Sequence, residues 1–496
     1  MALPDLIEIV PLAQPVRAEI TVPGSKSITN RALILAALAD GEVTLKGALW
    51  SEDTQIMVEC LQKLGFAVNV TPDPEEFCNR TIIVKGLGGK IPNAGMAEKP
   101  LELFVGNAGT AARFLSAFVC LGNGVYRLSG VPRMHERPQA ALFSALRELG
   151  YRVEPEKGND KLPVNIFGGR VVFHGDPNSK IKDEDAMERV STKRLCRVSI
   201  EESSQFASAL LLCAKIGNWE IEVVGENAEE SPYVAMTLKL IEVFPKKGGI
   251  FQIEPDASSG SYFLAAEKFV EQPEFLEHSE RFGVPVKTKL LQTVKVKHWP
   301  KSGWQIDEEF PGILALAWSL FAGLEMKRKG KLVEEIICKF SRENCAKNEI
   351  SRKNELGDSI MTAIILAPFA VLPVKFTDLG RLRVQECERV VALRTELTKC
   401  GAKVVEEGDT LTVWPSPLHG AEIETYNDHR MAMCFAILGL KVPGIKIKNP
   451  ACVKKTFPNF FQKLAAPPPH GLGAEIWEIK NGQRVRKLSG KDLFAE

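Results

Sequence analysis

A cation lies at a helix start where the physics of helices disfavours it. The segment YNDHRMAM (426–433) places Asn427, Asp428, His429 and Arg430 in the first turn of a helix that is otherwise apolar. A positive charge at a helix N-terminus is disfavoured by roughly 0.3–1 kcal/mol unless an anion lies beside it. Arg430 therefore predicts a negatively charged partner, either a ligand or another side chain.

The same pattern recurs at other turns. Lysines and arginines occur in PGSKSITNRAL (Lys26, Arg31), GNAGTAARFL (Arg113), PRMHERP (Arg133, Arg137) and KKTFPNFF (Lys454, Lys455). A turn that opens onto a helix leaves backbone N–H groups free, and nearby cations strengthen an anion site through charge-assisted hydrogen bonds. Each arginine taken singly also fits a surface ion pair. Together they predict anionic ligands, held in a cleft between domains because the cations come from both halves of the chain.

The elements that must position these cations form a repeat. Six segments combine a turn rich in Gly, Ser, Asn or Asp with an apolar helical stretch: residues 24–38, 106–119, 203–214, 258–267, 357–370 and 426–440. Helices this apolar must be buried inside a shell of strands and other helices. Six copies indicate a repeated α/β building block, three to a domain.

A second pattern also recurs. A helix end, a glycine and an alternating strand follow one another in LQKLGFAV (61–68), LRELGYRV (146–153), SERFGVPV (279–286) and LTKCGAKV (397–404). The glycine suits a left-handed helix cap, and the residues after it alternate as a strand does.

Composition restricts the class of protein. A chain of 496 residues with 45% hydrophobic residues is globular and long enough for at least two domains. The net charge of +1 gives no bulk attraction to nucleic acid or to an anionic membrane. Eleven cysteines without CxxC spacing and seven scattered histidines argue against a disulfide framework and a structural zinc site.

The sequence also predicts where the protein works. The N-terminus has neither a signal pattern nor a transit pattern. The most apolar runs, 310–324 and 360–374, are 15 residues long, short of the roughly 18 needed to span a bilayer. We therefore expect a cytoplasmic protein that binds neither nucleic acid nor membrane.

The motifs resemble those of a known family. In order along the chain, PGSKSITNRAL, GNAGTAARFL, PRMHERP, SSQF, DASSGSYFLAA, YNDHRMAM and KTFP are similar to the signature segments of the 5-enolpyruvylshikimate-3-phosphate (EPSP) synthase family, over roughly residues 10–465. The resemblance implies a two-domain inside-out α/β barrel, with three βαβαββ repeats and buried helices in each domain. It divides the chain into a first lobe (1–24 plus 255–465), a second lobe on the shikimate 3-phosphate side (25–254) and an extension (466–496).

The resemblance also implies an activity. Members transfer the enolpyruvyl group of phosphoenolpyruvate to the 5-hydroxyl of shikimate 3-phosphate and release phosphate. By motif, the phosphoenolpyruvate contacts would be Lys26, Gly109, Arg137, Gln205, Arg389, Arg430 and Lys455, with Arg113 and Arg133 as supporting cations. The shikimate 3-phosphate contacts would be Lys26, Ser27, Arg31, Ser203, Ser204, Gln205, Tyr233, Asp358 and Gln385.

The reaction moves protons in two directions and so needs a base and an acid. By resemblance, Asp358 would be the base and Glu386 the acid, with Lys26 near both. From the residues alone, Asp358 also fits an ordinary helix N-cap and Glu386 a solvated helix position. We expect no metal and no organic cofactor, a monomer, and competitive inhibition by glyphosate, because Gly109 and Thr110 stand as in members that accept this compound.

Some residues depart from the family pattern. Gln385 stands where members usually have a lysine, and Arg381, where asparagine is usual, could supply the missing charge. Ser231 is out of step with the SxPY pattern, and Phe114 replaces a frequent proline. The segments near 170–195 and 325–352 read as surface loops or added hairpins, and the tail after 465 as a Pro-rich linker to a short appended strand pair or extension.

Three other functions therefore stay open. One is a paralogue with lost catalysis or with another phosphorylated polyol as substrate, which Gln385 favours. Another is the sister enzyme that uses a UDP-aminosugar, although GVPRMHERP lacks the cysteine which that enzyme normally carries in this region. A third is a fold that serves only as a binding or scaffold module.

Overall fold

The chain folds as two compact α/β units. The computed structural model describes residues 3–14, 16–169, 193–225, 231–270, 293–314, 348–370 and 372–495. The first unit is discontinuous and comprises Met1–Pro23 and Pro255–Glu496, whereas the second comprises Gly24–Glu254. The mixed α/β class expected from the sequence is confirmed.

The described part of the second unit contains three sheets. Its ten strands are β3 (Glu42–Leu49), β4 (Val68–Pro72), β5 (Asn79–Lys85), β6 (Leu101–Phe104), β7 (Gly124–Ser129), β8 (Arg152–Pro155), β9 (Val164–Gly168), β10 (Arg194–Ser199), β11 (Trp219–Val224) and β12 (Gly249–Gln252). They form two four-stranded sheets, in the orders β12-β3-β5-β4 and β6-β7-β9-β8, and a parallel β10-β11 pair. The helices are α1 (Lys26–Leu38), α2 (Glu52–Lys63), α3 (Gly109–Phe118), α4 (Pro132–Glu136), α5 (Ala140–Glu148), α6 (Ser204–Gly217) and α7 (Pro232–Val243).

The described part of the first unit also contains three sheets. Its strands are β1 (Leu6–Ile9), β2 (Ala18–Ile20), β13 (Val294–Val296), β14 (Glu349–Ser351), β15 (Val374–Thr377), β16 (Val404–Glu407), β17 (Thr410–Val413), β18 (Glu422–Ile423), β19 (Ile445–Lys448), β20 (Ile476–Lys480) and β21 (Gln483–Lys487). The strand orders are β18-β19-β1-β20-β21, β13-β2 and β14-β15-β17-β16. The helices are α8 (Ala257–Val270), α9 (Ile360–Leu366), α10 (Arg389–Lys399), α11 (His429–Gly439) and α12 (Phe460–Ala465).

All six segments with a turn and an apolar stretch contain a helix, namely α1, α3, α6, α8, α9 and α11. Three of these helices are buried around nearly their whole circumference. Every residue from Ile28 to Leu38 of α1 is buried, as are all ten residues of α3 and all of α11 except Arg430. An apolar helix can occupy such a position because it has no polar face to solvate. Its first turn is then the place where polar side chains can gather.

The glycines after helix ends adopt the predicted left-handed conformation. Gly65, Gly150 and Gly401 have φ angles of +95°, +85° and +93°, and strands β4, β8 and β16 follow them. Any residue other than glycine would be strained at these φ angles. The fourth segment of this pattern, SERFGVPV, lies outside the described residues.

The tail after residue 465 is part of the first unit. Strand β20 pairs antiparallel with β1 and forms a hairpin with β21. Arg484 of β21 donates two hydrogen bonds to Glu8 of β1, at 2.8 and 2.9 Å. The tail therefore extends the sheet that begins at the N-terminus.

No helix within the described ranges is long and apolar enough to span a bilayer.

Candidate active site

Asp358 lies at the centre of a cluster of charges in the first unit. Its Oδ1 accepts a hydrogen bond from Arg352 Nη2 at 2.7 Å. Its Oδ2 lies 3.2 Å from Arg430 Nη2 and 3.8 Å from Arg389 Nη1. The N-cap of α9 is Ser359, and the Asp358 carboxylate is directed to arginines instead of the helix N–H groups. The alternative of an ordinary N-cap for Asp358 is therefore wrong.

The three arginines determine the protonation of this carboxyl group. Burial by itself would raise the pKa of Asp358. The positive charges of Arg430, Arg352 and Arg389 outweigh burial and hold the pKa well below its usual range. Asp358 is consequently ionised throughout the physiological range of pH.

Arg389 connects Asp358 to two further carboxylates. It is the first residue of α10 and is 1% exposed. Its Nε donates to Asp428 Oδ2 at 2.7 Å, and its Nη2 donates to Glu386 Oε2 at 2.8 Å. Its Nη1 donates to the amide oxygen of Gln385. These anions outweigh the effect of burial and raise the pKa of Arg389 above its usual value.

Glu386 lies in the same network. Its side chain is 13% exposed and is paired with Arg389 through Oε2 and with Lys455 through Oε1, at 2.8 and 3.0 Å. Lys455 is the last residue of a short 3₁₀ helix and is also buried. The alternative of a solvated helix position for Glu386 is therefore wrong.

Arg430 has the anionic partner that its position at a helix start predicts. Asp428 is the N-cap of α11 and accepts a hydrogen bond from the backbone N–H of Arg430 at 2.8 Å. The Arg430 side chain reaches Asp358 and also lies 3.5 Å from the Tyr262 hydroxyl. The two residues before Asp428 have φ angles of +54° and +55°, which turn the chain sharply into the helix.

The Asp358 cluster predicts a pH-dependent contribution to stability. Because the pKa of Asp358 is lowered in the folded state, its stabilising contribution is present above the unfolded value of about 3.9 and is lost as pH falls through the folded value. Removing one partner from a buried ion pair destabilises by about 3–5 kcal/mol. We expect Asp358→Asn to lower the urea midpoint of unfolding at pH 7. The difference in midpoint between the variant and wild type should become smaller below about pH 4. A gap that widens as pH falls would contradict this reading.

The second unit has a cluster of its own at the start of α3. A Cβ atom built on Gly109 would lie 2.7 Å from the terminal nitrogens of both Arg113 and Arg137, so both guanidinium groups lie against this glycine. Arg113 Nη1 donates to Gln205 Oε1 at 2.7 Å, and Gln205 Nε2 donates to Thr110 Oγ1 at 3.1 Å. Gly109, Arg137 and Gln205, all predicted from the sequence, are thus brought together.

The first turns of α1 and α6 supply the other predicted groups of this unit. Lys26 pairs with the buried Asp53 at 3.0 Å. Ser203 is the N-cap of α6, and its hydroxyl accepts the backbone N–H of Gln205 at 3.3 Å. Lys26 and Ser203 thus occupy the helix starts at which the sequence analysis expects an anion. Ser27 and Ser204 follow them in the first turns of the two helices.

Arg31 differs from the other cations because it is directed into the protein. It is 1% exposed, and burial lowers its pKa to about 10. Its donors bind Thr237 Oγ1, Ser27 O, Ser208 Oγ and Tyr233 O at 2.8, 2.8, 3.0 and 3.4 Å. Guanidinium has five donors, and these contacts use four of them. Arg31 therefore joins α1 to α6 and α7.

Two further residues of the second unit lie elsewhere than the motifs suggest. Arg133 pairs with Glu136 at 2.6 Å, with side chains 47% and 62% exposed, and this is the surface ion pair that a lone arginine also fits. Ser231, which is out of step with the family pattern, is the N-cap of α7, and Pro232 is the first residue of that helix.

Several residues of these clusters were missed in the sequence analysis. Arg352 belongs to the long segment 325–352, which reads as a surface loop, yet it is buried. Asp428 and Asp53 anchor Arg389 and Lys26. Asp428 belongs to the motif YNDHRMAM. A carboxylate beside an arginine at a helix start is a sequence signal that could have identified Asp428 as an anionic partner. Arg352 gave no such signal, because it follows a strand instead of opening a helix.

Metal ligation has no support in the described residues, which contain no group of three or more His, Cys, Asp or Glu side chains able to hold an ion. The charged groups of the Asp358 cluster are instead carboxylates paired with arginine or lysine, and those at the start of α3 are the cations Arg113 and Arg137. Such an arrangement suits ligands that carry carboxylate or phosphate groups, because those anions compete for the same cations.

Comparison with known proteins identifies the family. The family described as EPSP synthase (3-phosphoshikimate 1-carboxyvinyltransferase) matches residues 11–271 and 329–464. The chain belongs to the EPSP synthase family. A relative from Trichormus variabilis, named 3-phosphoshikimate 1-carboxyvinyltransferase, is 36% identical over 93% of this chain and 98% of its own length. One of the same name from Opitutus terrae is 35% identical over 94% of this chain and 98% of its own length.

Solved structures agree with the fold of this EPSP synthase family member. The EPSP synthase of Acinetobacter baumannii superposes with a TM-score of 0.62 at 20% identity, over 95% of this chain and 100% of that protein. The enolpyruvyl transferase NikO of Streptomyces tendae superposes with a TM-score of 0.56 at 14% identity, over 96% of this chain and 99% of that protein. At these identities the likeness bears on the fold alone.

Proposed function

We propose that this chain is a 3-phosphoshikimate 1-carboxyvinyltransferase. It transfers the enolpyruvyl group of phosphoenolpyruvate to the 5-hydroxyl of shikimate 3-phosphate and releases phosphate. The observation that carries this proposal is the network of Asp358, Arg389 and Glu386, in which one arginine joins a candidate base to a candidate acid. Membership of the EPSP synthase family, shared with relatives that bear this name, supports it.

The two substrates are anions, and each unit contributes cations to them in this proposal. The phosphoenolpyruvate contacts are Lys26, Gly109, Arg137 and Gln205 of the second unit and Arg389, Arg430 and Lys455 of the first. The shikimate 3-phosphate contacts are Lys26, Ser27, Arg31, Ser203, Ser204, Gln205 and Tyr233 of the second unit and Asp358 and Gln385 of the first.

Proton transfers in both directions then complete the reaction. Glu386 takes up a proton from solvent once Arg389 and Lys455 turn to phosphoenolpyruvate, because fewer positive charges then face it. It donates that proton to the methylene carbon of phosphoenolpyruvate, which makes the neighbouring carbon cationic. The 5-hydroxyl oxygen attacks that carbon and gives its proton to Asp358, and a tetrahedral ketal phosphate forms. The Glu386 carboxylate then takes a proton back from the new methyl group, which restores the double bond while the carbon–oxygen bond to phosphate breaks. The departing phosphate takes the proton held by Asp358, so both carboxyl groups return to their starting states. Lys26 supplies a positive charge that stabilises negative charge on the substrates.

In our proposal the binding of phosphoenolpyruvate changes the basicity of Asp358. Without ligand, Arg389 and Arg430 stabilise the ionised form of Asp358 and make it a weak base. The carboxylate of phosphoenolpyruvate competes for the same two arginines. Once they turn to the substrate, Asp358 holds a proton more readily, because fewer positive charges face it. The base therefore becomes effective only when its substrate is bound.

The finer architecture also belongs to this proposal. Each unit is taken as three βαβαββ repeats with the helices inside, which makes a two-domain inside-out barrel. The three sheets and the buried helices in the described part of each unit support this assignment.

The activity is tested by following phosphate release from the purified protein. We expect release only when phosphoenolpyruvate and shikimate 3-phosphate are both present, and none with phosphoenolpyruvate alone. Release with another phosphorylated polyol but not with shikimate 3-phosphate would favour the paralogue, for which Gln385 is the supporting observation. No release at high protein concentration would contradict the proposal.

A further inference from the structure

The Asp358 carboxylate has a partner that the proposed reaction does not use. Arg352 binds Oδ1 at 2.7 Å, whereas Arg430 and Arg389 lie on the side of Oδ2. The two arginines at Oδ2 are proposed phosphoenolpyruvate contacts and leave Asp358 when that substrate binds. Arg352 is not a proposed substrate contact, so its hydrogen bond to Oδ1 can persist through the reaction.

Arg352 is held in a compact turn between β14 and α9. Its backbone N–H donates to Thr377 O of β15 at 3.1 Å, which continues the β14–β15 pairing by one residue. The backbone N–H groups of Glu355 and Leu356 both donate to Ser351 O at 3.1 Å. These bonds fix the backbone on both sides of Arg352, whose side chain is 9% exposed. The guanidinium therefore meets Asp358 from an anchored position.

Several elements of the first unit contribute to the charge around Asp358. Three cations face the carboxylate directly: Arg352 after β14, Arg389 at the start of α10 and Arg430 in α11. Behind them, Asp256, Asp307 and Tyr262 act on Arg430, and Glu386 and Asp428 act on Arg389. Within the described residues Arg352 and Arg430 each pair with Asp358 as their one carboxylate, whereas Arg389 also pairs with Glu386 and Asp428.

We propose that Arg352 is a positioning residue for Asp358, which orients the carboxyl group through Oδ1 and keeps it ionised until Oδ2 accepts the proton of the 5-hydroxyl. This inference rests on the proposed function. A charge-assisted hydrogen bond from an anchored arginine restricts the rotation of the carboxyl group, so that one oxygen always faces the reacting hydroxyl. It also supplies a positive charge to the Asp358 carboxylate, to which the Gln385 amide adds none.

Two substitutions separate the charge of Arg352 from its shape. Arg352→Gln keeps a hydrogen-bond donor but removes the charge, and Arg352→Lys keeps the charge. We expect the acid limb of the kcat–pH profile to move up by about 1–3 pH units in the glutamine variant, because an opposite charge lowers a carboxyl pKa by that much. In the lysine variant the limb stays near that of wild type. The kcat/KM limb should move less, because Arg389 and Arg430 still face Asp358 in the free enzyme.

Arg394→Gln is the matched control. Arg394 belongs to the same unit and pairs with Glu406 at 3.0 Å, but its side chain is 43% exposed. Its removal should leave the pH profile unchanged. An unmoved acid limb in Arg352→Gln, or equal shifts in the glutamine and lysine variants, would overturn the inference.

A second readout does not depend on turnover. The titration of Asp358 can be followed by NMR with aspartate labelled at the side-chain carboxyl carbon, and the signal is assigned by its loss in Asp358→Asn. We expect the Asp358 signal of Arg352→Gln to titrate at least about 1 pH unit above that of wild type. Unchanged titration overturns the role of Arg352, whereas an inactive wild type overturns the proposed function and leaves this result standing.

Discussion

Asp358→Asn is expected to lower kcat by about 10²–10⁴-fold, the usual contribution of a positioned base. The amide has nearly the same shape but cannot accept the proton of the 5-hydroxyl. Apparent affinity for phosphoenolpyruvate should not weaken, because the substitution removes an anion that competes for Arg389 and Arg430. Steady-state phosphate release and equilibrium titration with phosphoenolpyruvate measure the two effects separately.

The control for this variant is Asp160→Asn. Asp160 is a 38% exposed partner of Arg147, and its φ of +49° is one that asparagine also adopts readily. Its kcat should stay within about twofold of wild type, since surface ion pairs contribute little. Circular dichroism at the assay temperature shows whether each variant is folded. A folded Asp358→Asn protein that kept a tenth or more of the activity would rule out Asp358 as the base.

Gly109→Ala is expected to raise the KM for phosphoenolpyruvate by about 10–100-fold. The new methyl group would lie 2.7 Å from the guanidinium nitrogens of Arg113 and Arg137. Because these are the ends of flexible side chains, the arginines move and the fold persists, helped by the higher helix propensity of alanine. Displacing one charge-assisted hydrogen bond removes about 1.5–3 kcal/mol of binding, and each 1.4 kcal/mol is tenfold in affinity.

Three measurements make this prediction specific. The Kd of shikimate 3-phosphate should change less than the KM of phosphoenolpyruvate, because Gln205 is the one proposed contact of shikimate 3-phosphate that is bonded to the displaced Arg113. Glyphosate should inhibit wild type competitively with phosphoenolpyruvate, and its Ki should rise in Gly109→Ala together with the KM. The control is Gly312→Ala, since a Cβ at that glycine would meet nothing within 4 Å. An unchanged KM in Gly109→Ala, or inhibition indifferent to phosphoenolpyruvate, would contradict the assignment of the pocket.

The sequence was informative about elements whose causes are local. The six turn-and-helix segments were found because burial on all sides demands an apolar helix, and that property is visible in any short window of sequence. The glycines after helix ends were found for a similar reason, since a left-handed φ restricts the residue type. The position of Arg430 in the first turn of α11 predicts an anionic partner.

What the sequence could not give was the partner of each charge. Arg389 binds Asp428, which is 39 residues away, and Lys26 binds Asp53, 27 residues away. Arg31 has the same helix-start signature as Lys26 but is directed into the protein, because Thr237 and Ser208 supply its acceptors. Arg352 carries no helical signal and lies in a charged segment that resembles a surface loop. Such differences are decided by tertiary packing and not by spacing along the chain.

The compensation for Gln385 illustrates the same limit. The sequence suggests that Arg381 supplies the charge that Gln385 lacks. This role of Arg381 stays a prediction. The contacts of Asp358 offer a different cation, Arg352, from a neighbouring strand end. Gln385 itself accepts a hydrogen bond from Arg389 and so helps to orient that arginine.

A single-turnover experiment tests the central claim most directly. Wild-type protein in excess is mixed with shikimate 3-phosphate and phosphoenolpyruvate labelled with ¹³C at C2 and C3, and the products are identified by ¹³C and ³¹P NMR. We predict that both labelled carbons become an enolpyruvyl group on the 5-oxygen and that one equivalent of inorganic phosphate forms. Labelled phosphoenolpyruvate that persists unchanged, or phosphate released without this new ether bond, would contradict the account.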